Sequence, residues 1–183
     1  MARLPYLDKD DLTDKDKEIV KRPINLNRVI AHSPEAARMF SGIGNYIRFG
    51  SSLDPRLREM AILQVGYLTK NAYEYSHHLK IGRDFGVADD DVVAIETETA
   101  GGDSGLPALD RAILRGTREM TKQMKVSNDT YAVWMEHLSE AHIVDLVMVI
   151  AFYNGVVRLL GALEIDVEPE YSVELEKHPL PKK

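Results

Sequence analysis

Apolar residues recur along this chain at helical spacing, and no run alternates in the manner of a strand bounded by hairpin turns. Over 57–68 they occupy nearly every face (Met60, Ala61, Ile62, Leu63, Val65, Tyr67), the pattern of a helix surrounded by protein. A second mostly apolar helix is expected over 139–163. Between them Leu109, Ile113, Leu114, Thr117 and Met120 keep a period of about 3.6 residues. Two helix starts carry a capping side chain followed by proline, Ser33-Pro34-Glu35 and Asp54-Pro55-Arg56, because proline has no N–H to leave unsatisfied. Ser127-Asn128-Asp129 caps a shorter helix with Trp134, a helix over 72–85 ends at Gly86, and another short one lies near 89–98. The fold class these elements predict is all-α.

Length and balanced composition fit one domain over 1–183. The glycine-rich segment 100–105 joins its two helical halves, the second running over 106–163. The tail, 164–183, holds Pro169, Pro179 and Pro181 and reads as extended or mobile. A net charge of −6 with scattered Lys and Arg leaves no basic face for nucleic acid. Residues 1–17 contain no apolar leader core, and the longest unbroken apolar run, 146–153, is far shorter than the ~20 residues a spanning helix needs. A cytoplasmic protein without a membrane partner is expected. The chain has no cysteine, which removes disulfides, thiol nucleophiles and dithiol redox chemistry together.

The sharpest constellation is Tyr73-Glu74-Tyr75-Ser76-His77-His78. Glu74 and His78 are four apart and share a helix face that continues through Ile81 and Phe85, whereas His77 falls with Tyr73, Lys80 and Asp84 on a more polar side. A carboxylate and an imidazole in partly apolar surroundings tune each other's proton affinity, as acid–base chemistry near neutral pH requires. The same spacing is also that of an ordinary helix-stabilising pair. Adjacent histidines on a helix diverge by about 100° and rarely share one ion, so neither a metal nor a cofactor is expected. Glu59, one turn inside the most apolar helix, needs a partner, and Arg56 and Arg58 are both within reach of that role. Tyr153, Asn154 and Arg158 form a further polar patch; Arg158 suits either a substrate carboxylate or an acidic side chain between helices.

The run Leu53-Asp54-Pro55-Arg56-Leu57-Arg58-Glu59-Met60-Ala61-Ile62-Leu63, followed by Tyr73-Glu74-Tyr75, His78 and Gly86, resembles the signature of the carboxymuconolactone decarboxylase family, the AhpD-like group, over 53–96. The resemblance returns across 143–163, at Phe152-Tyr153-Asn154 and Arg158. It implies an all-helical fold assembled as a homotrimer or homohexamer. In the peroxidase members two cysteines precede the histidine by seven and four positions, and an upstream glutamate assists proton transfer; Asn71, Glu74 and Glu59 stand at those places here. Peroxide reduction needs the thiols, so the resemblance implies a proton relay without its redox pair. The expected catalytic residues are His78, Glu74 and Glu59, with Tyr73, Tyr75, Asn71, Tyr153 and Arg158 around a small carboxylated or lactone-like substrate and decarboxylation as the reaction class. The rival expectations are a peroxidase of the family type and a small-molecule binding or assembly protein without turnover.

Overall fold

The computed structural model describes residues 2–181, so the first residue and the last two of the expected domain lie outside the described residues. Two short 3-10 turns lead into α1 (Asn25–Ile30) and α2 (Pro34–Asn45), whose end widens into a π-helical turn, Tyr46–Gly50. Then follow α3 (Pro55–Thr69), α4 (Ala72–Asp84), α5 (Asp89–Thr99), α6 (Ala108–Gln123), α7 (Asn128–His137), α8 (Glu140–Leu163) and α9 (Pro169–Lys177). Among the described residues there is no strand, as the spacing of apolar residues predicts.

α3 is the axis. All residues from Leu57 through Gly66 are buried, because α4, α5, α6 and α8 surround the helix. Its apolar side chains serve two cores. Leu57, Ala61, Ile62 and Val65 face α8 and the N-terminal helices, while Met60 and Leu63 face Tyr75, Leu79, Ile95 and Leu114. The Asp54 carboxylate caps the helix at the Leu57 N–H, 3.1 Å away. Arg56 then ties α3 to α5 through Asp91 and to α6 through Asp110. The α3–α4 hairpin depends on Gly66, where a Cβ would lie 3.1 Å from the Tyr75 Cα.

The chain after α8 departs from its reading as an extended tail. Pro169 opens α9, which lies against α4 through a 2.7 Å ion pair between Arg83 and Glu174 and through the ring of Tyr171. Proline at the first helical position is the same start signal as at Pro34 and Pro55. α8 matches the second apolar helix expected over 139–163. By length and composition alone it is one helix long and apolar enough to cross a membrane, yet Ile143, Leu146, Val149, Ile150, Tyr153 and Val157 are buried in the core.

The opposite face of α8 is bare: Val144 is 61% and Met148 44% exposed. Beside it the exposed side chains of Met39, Ile43 and Phe49 extend the apolar surface, and the Tyr46 hydroxyl bridges the two elements by donating to Asp145 over 2.9 Å. Apolar surface of this kind is characteristic of subunit contacts. We propose that a further copy of the chain covers it, in a trimer or hexamer of closed symmetry. Light scattering after size exclusion is expected to give such a mass at micromolar concentration, and Val144→Glu with Met148→Glu to dissociate it. A wild-type monomer mass would overturn the assembly.

Candidate active site

Four charged side chains run in line from the core to a cavity. Deepest is Arg58, which is 1% exposed; its Nε and Nη2 donate to Glu59 Oε1 at 3.1 and 3.0 Å. Its Nη1 donates to the carbonyls of Ile47 and Arg48, which the π-helical turn leaves without helical partners, and the guanidinium lies 4.5 Å over the Phe85 ring. Glu59 Oε2 lies 2.6 Å from His78 Nδ1, and His78 Nε2 is 3.0 Å from Glu74 Oε1. The charges alternate, so each has an opposite neighbour within hydrogen-bond reach.

Both ring nitrogens of His78 therefore face a carboxylate. A neutral imidazole has one N–H and satisfies only one of them; the imidazolium satisfies both. Burial alone would push His78 toward its neutral form, but Glu59 and Glu74 outweigh it and raise its pKa to about 9. Burial likewise pushes Glu59 up, and His78 and Arg58 more than reverse this, holding it below the usual carboxylate range. Tyr153 meets the His78 ring edge-on at 5.0 Å, and its phenol is kept protonated first by burial and then by the Glu74 and Glu59 charges.

Glu74, His78, Tyr73 and Tyr153 line a cavity of about 910 Å³ between α4, α8 and the N-terminal helices. The Asn71 side chain caps α4 by accepting the Glu74 N–H at 2.9 Å, so it sets where Glu74 begins but does not reach the cavity wall. Glu59 also lies off the wall, behind His78. Two of the expected substrate contacts are elsewhere. Tyr75 is fully buried on the far side of α4 against Tyr67, with ring centroids 5.7 Å apart, because residues two apart on a helix point away from each other. Arg158 is exposed and folds back on the carbonyl and side chain of Asn154 in its own helix.

Sequence reasoning missed four contributors. His77 is not on a polar face: it is 4% exposed, stacked between Tyr73 at 4.2 Å and Tyr171 at 3.6 Å, and its Nε2 lies 2.7 Å from Glu168 Oε2. Glu168 also accepts from the Asn25 N–H and the Tyr73 hydroxyl at 2.6 and 3.0 Å. Both covering residues come from the segment read as a tail, and the Glu168-Pro169 pair was the signal that a helix returns there. Arg48, carried by the π-helical turn, lines the cavity half-buried and has no carboxylate within ion-pair distance among the described residues. Nothing in its sequence neighbourhood marks it.

Solved structures of AhpD-like proteins share this all-helical fold. The alkylhydroperoxidase AhpD core, an uncharacterized peroxidase-related protein from Ralstonia eutropha JMP134, superposes with a TM-score of 0.77 at 18% identity, covering 93% of this chain and 94% of that one. An uncharacterized peroxidase-related protein from Silicibacter sp. TM1040 gives 0.71 at 22%, with 92% of each chain covered. A cysteine-to-alanine variant of the debrominase Bmp8, in complex with 2,3,4-tribromopyrrole, gives 0.76 at 16%, covering 97% and 99%. No curated protein matches in sequence. Residues 34–114 match the model of the carboxymuconolactone decarboxylase family, and the chain contains no cysteine. The match ends within α6, so Tyr153, Glu168 and Tyr171 lie beyond it.

The charged line has a pH signature. His78 binds its proton more tightly folded than unfolded, so its stabilisation is complete below its ordinary pKa of 6.5 and is lost as pH rises through about 9. Glu59, held low, stabilises above the ordinary carboxylate range and stops doing so as pH falls through its depressed pKa. Urea unfolding is expected to weaken by ~3 kcal/mol between pH 6.5 and 9.5, with a slope of about one proton. His78→Gln should be less stable at pH 6.5 and lack that slope. An unchanged slope in the variant would assign the titration to another group.

Proposed function

We propose that this chain is a cofactor-independent acid–base enzyme of the cytoplasm, acting on a small carboxylated or lactone-like metabolite, with decarboxylation as its reaction class. The observation that carries this reading is the double engagement of His78. With Nδ1 on Glu59 and Nε2 on Glu74, neither ring nitrogen is free for substrate. The group that exchanges a proton in the cavity is then Glu74, whose Oε1 meets His78 while Oε2 has no partner among the described residues. His78 acts through Glu74 as a charged positioning residue, and Glu59 with Arg58 keeps it charged.

In the decarboxylation, the bond from carbon to the substrate carboxylate breaks, CO2 departs, and the electron pair passes into an adjoining conjugated carbonyl. Glu74 takes up the Nε2 proton of the His78 imidazolium and delivers it to that carbon, and the pair is reprotonated from solvent, so the net reaction consumes one proton. A substrate carboxylate finds its counter-charge in Arg48, which takes the part expected of Arg158. Phe40, Phe152 and Tyr153 supply flat apolar wall beside it. The debrominase relative holds a flat ring, 2,3,4-tribromopyrrole, and a ring of similar size suits such walls.

Release of CO2 from carboxymuconolactone and from a series of lactone and β-keto carboxylates tests the proposal. Glu74→Gln is expected to lower kcat about 100-fold or more with little change in KM, and Arg48→Ala to raise KM chiefly. Turnover unaffected by Glu74→Gln sinks the assignment; a ligand bound at the cavity without turnover favours the binding-protein alternative. The peroxidase alternative has its own check. With no thiolate to attack, hydrogen peroxide and organic peroxides are expected to stay unreduced by a dithiol donor above background.

A further inference from the structure

The two adjacent histidines of α4 are held in opposite ways. His78 meets a carboxylate at each ring nitrogen, Glu59 at Nδ1 and Glu74 at Nε2. His77 meets only one: its Nε2 lies 2.7 Å from Glu168 Oε2, and its Nδ1 has no partner among the described residues. The side-chain nitrogens and oxygens fully buried without a hydrogen bond among those residues are Tyr75 Oη and Trp134 Nε1. His77 Nδ1 is not one of them, so it reaches open space, and the open space its ring lines is the cavity of Glu74.

The rest of the ring is fixed. Tyr73 and Tyr171 stack on its two faces at 4.2 and 3.6 Å, each within 14° of parallel, so a substrate can meet only an edge. Glu168 sets the rotation of the ring in its own plane. The Asn25 N–H and the Tyr73 hydroxyl donate to Oε1 of that carboxylate and leave Oε2 to His77. Burial pushes the Glu168 carboxyl up, and His77 with the Asn25 N–H more than reverses this, so it is an ionised acceptor. Such an acceptor at Nε2 takes the one N–H of a neutral imidazole, and Nδ1 then keeps its lone pair. An imidazole in a single tautomer, oriented by a carboxylate, is the arrangement of a general base.

Glu74 stands three positions before His77 and lines the same cavity, so the two side chains are neighbours on the helix surface. We propose that His77 is a general base of this cavity, with Glu168 as its positioning residue, and that together with Glu74 it moves the double bond of a small β,γ-unsaturated lactone into conjugation. The inference rests on the reading of Glu74 as the group that gives up a proton. His77 Nδ1 takes a proton from the carbon between the carbonyl and the double bond, and the electron pair of that C–H bond becomes the new α,β double bond. The pair of the old double bond takes up, at the γ carbon, the proton that Glu74 passes on from His78. Nδ1 returns its proton through solvent to the Glu74–His78 pair, so the reaction consumes no proton and needs no oxidant or reductant.

α-Angelica lactone, which has this double bond and no carboxylate to lose, is the probe, with the intact protein in D2O. Conversion to the conjugated isomer carrying deuterium at the γ carbon is expected, faster than with free imidazole at the same concentration. His77→Gln, whose amide still reaches Glu168, should lower the rate about 100-fold or more while urea unfolding shows the chain folded. Glu168→Gln should lower it about tenfold or more, and should also shift the 15N spectrum of the His77 ring, from a proton on Nε2 with a bare Nδ1 to a mixture of tautomers. Arg158→Ala, off the cavity wall, should leave the rate unchanged. Conversion no faster than with free imidazole, a rate that survives His77→Gln, or a proton on Nδ1 near neutral pH overturns the proposal. Isomerisation that depends on His77 without CO2 release from any carboxylate upholds it and sinks the decarboxylation; CO2 release without isomerisation does the reverse.

Discussion

The buried line Arg58-Glu59-His78-Glu74 is the constraint around which the rest of this structure is arranged. A lone charge as deep as Glu59 or Arg58 would cost several kcal/mol of lost hydration, and an isolated pair would recover only part of it. Four charges in alternation, each donor matched to an acceptor, recover more, but only if their spacing is fixed. The fold fixes it from three directions. α3 sets Arg58 and Glu59 on one rigid helix, Asn71 determines where α4 starts and hence where Glu74 and His78 fall, and the π-helical turn presents two carbonyls to Arg58. Gly66 and Gly82 bring the helices close enough for the contacts to form; at Gly82 a Cβ would lie 3.7 Å from the Cβ of Glu59.

Residues whose roles depend on local spacing were legible in the sequence. The all-apolar circumference of 57–68 announced a central helix, the proline starts and the Asp54 cap marked boundaries that the structure keeps, and the four-residue interval set His78 against Glu74. Glu59 stood out because its surroundings are apolar, and its partner proved to be Arg58 while Arg56 turned outward to Asp91 and Asp110. What spacing does not encode is which face of a helix a distant segment will cover. His77 looked polar because Lys80 and Asp84 share its side, and only the return of α9 buries it. Arg158 and Tyr75 lie off the cavity wall for the complementary reason: each sits on a face of its helix that points away from the cavity.

α9 shows how a short helix beyond the family match completes a site that lies mostly within it. Its N-terminal flank supplies Glu168 to His77, Tyr73 and the Asn25 N–H at once, and Tyr171 closes the second face of the His77 ring. One end of the cavity is thereby walled by groups whose hydrogen bonds point at one another, which holds Tyr73 and His77 in single positions. Arg48, also on the wall, has no carboxylate partner among the described residues. Lys21 and Arg22 line the same cavity, Arg22 donating to the Tyr171 hydroxyl, so cationic side chains stand at both of its ends.

The replacement at position 74 joins this electrostatic frame to chemistry. By the family resemblance, a cysteine occupies the equivalent place in peroxidase members, four residues before the histidine. A thiolate and a carboxylate both give the imidazolium a negative partner, so Glu74 keeps the charge alternation that the buried line requires. They differ in what they do to a substrate. A thiolate attacks sulfur or peroxide oxygen and needs a second thiol to be regenerated, whereas a carboxylate trades protons and returns to its starting state without a reductant. Asparagine at the other cysteine position caps α4 by accepting the Glu74 N–H. On the proposed reading, a carboxylate at position 74 suits the site to proton transfer while the buried line of charges stays in alternation.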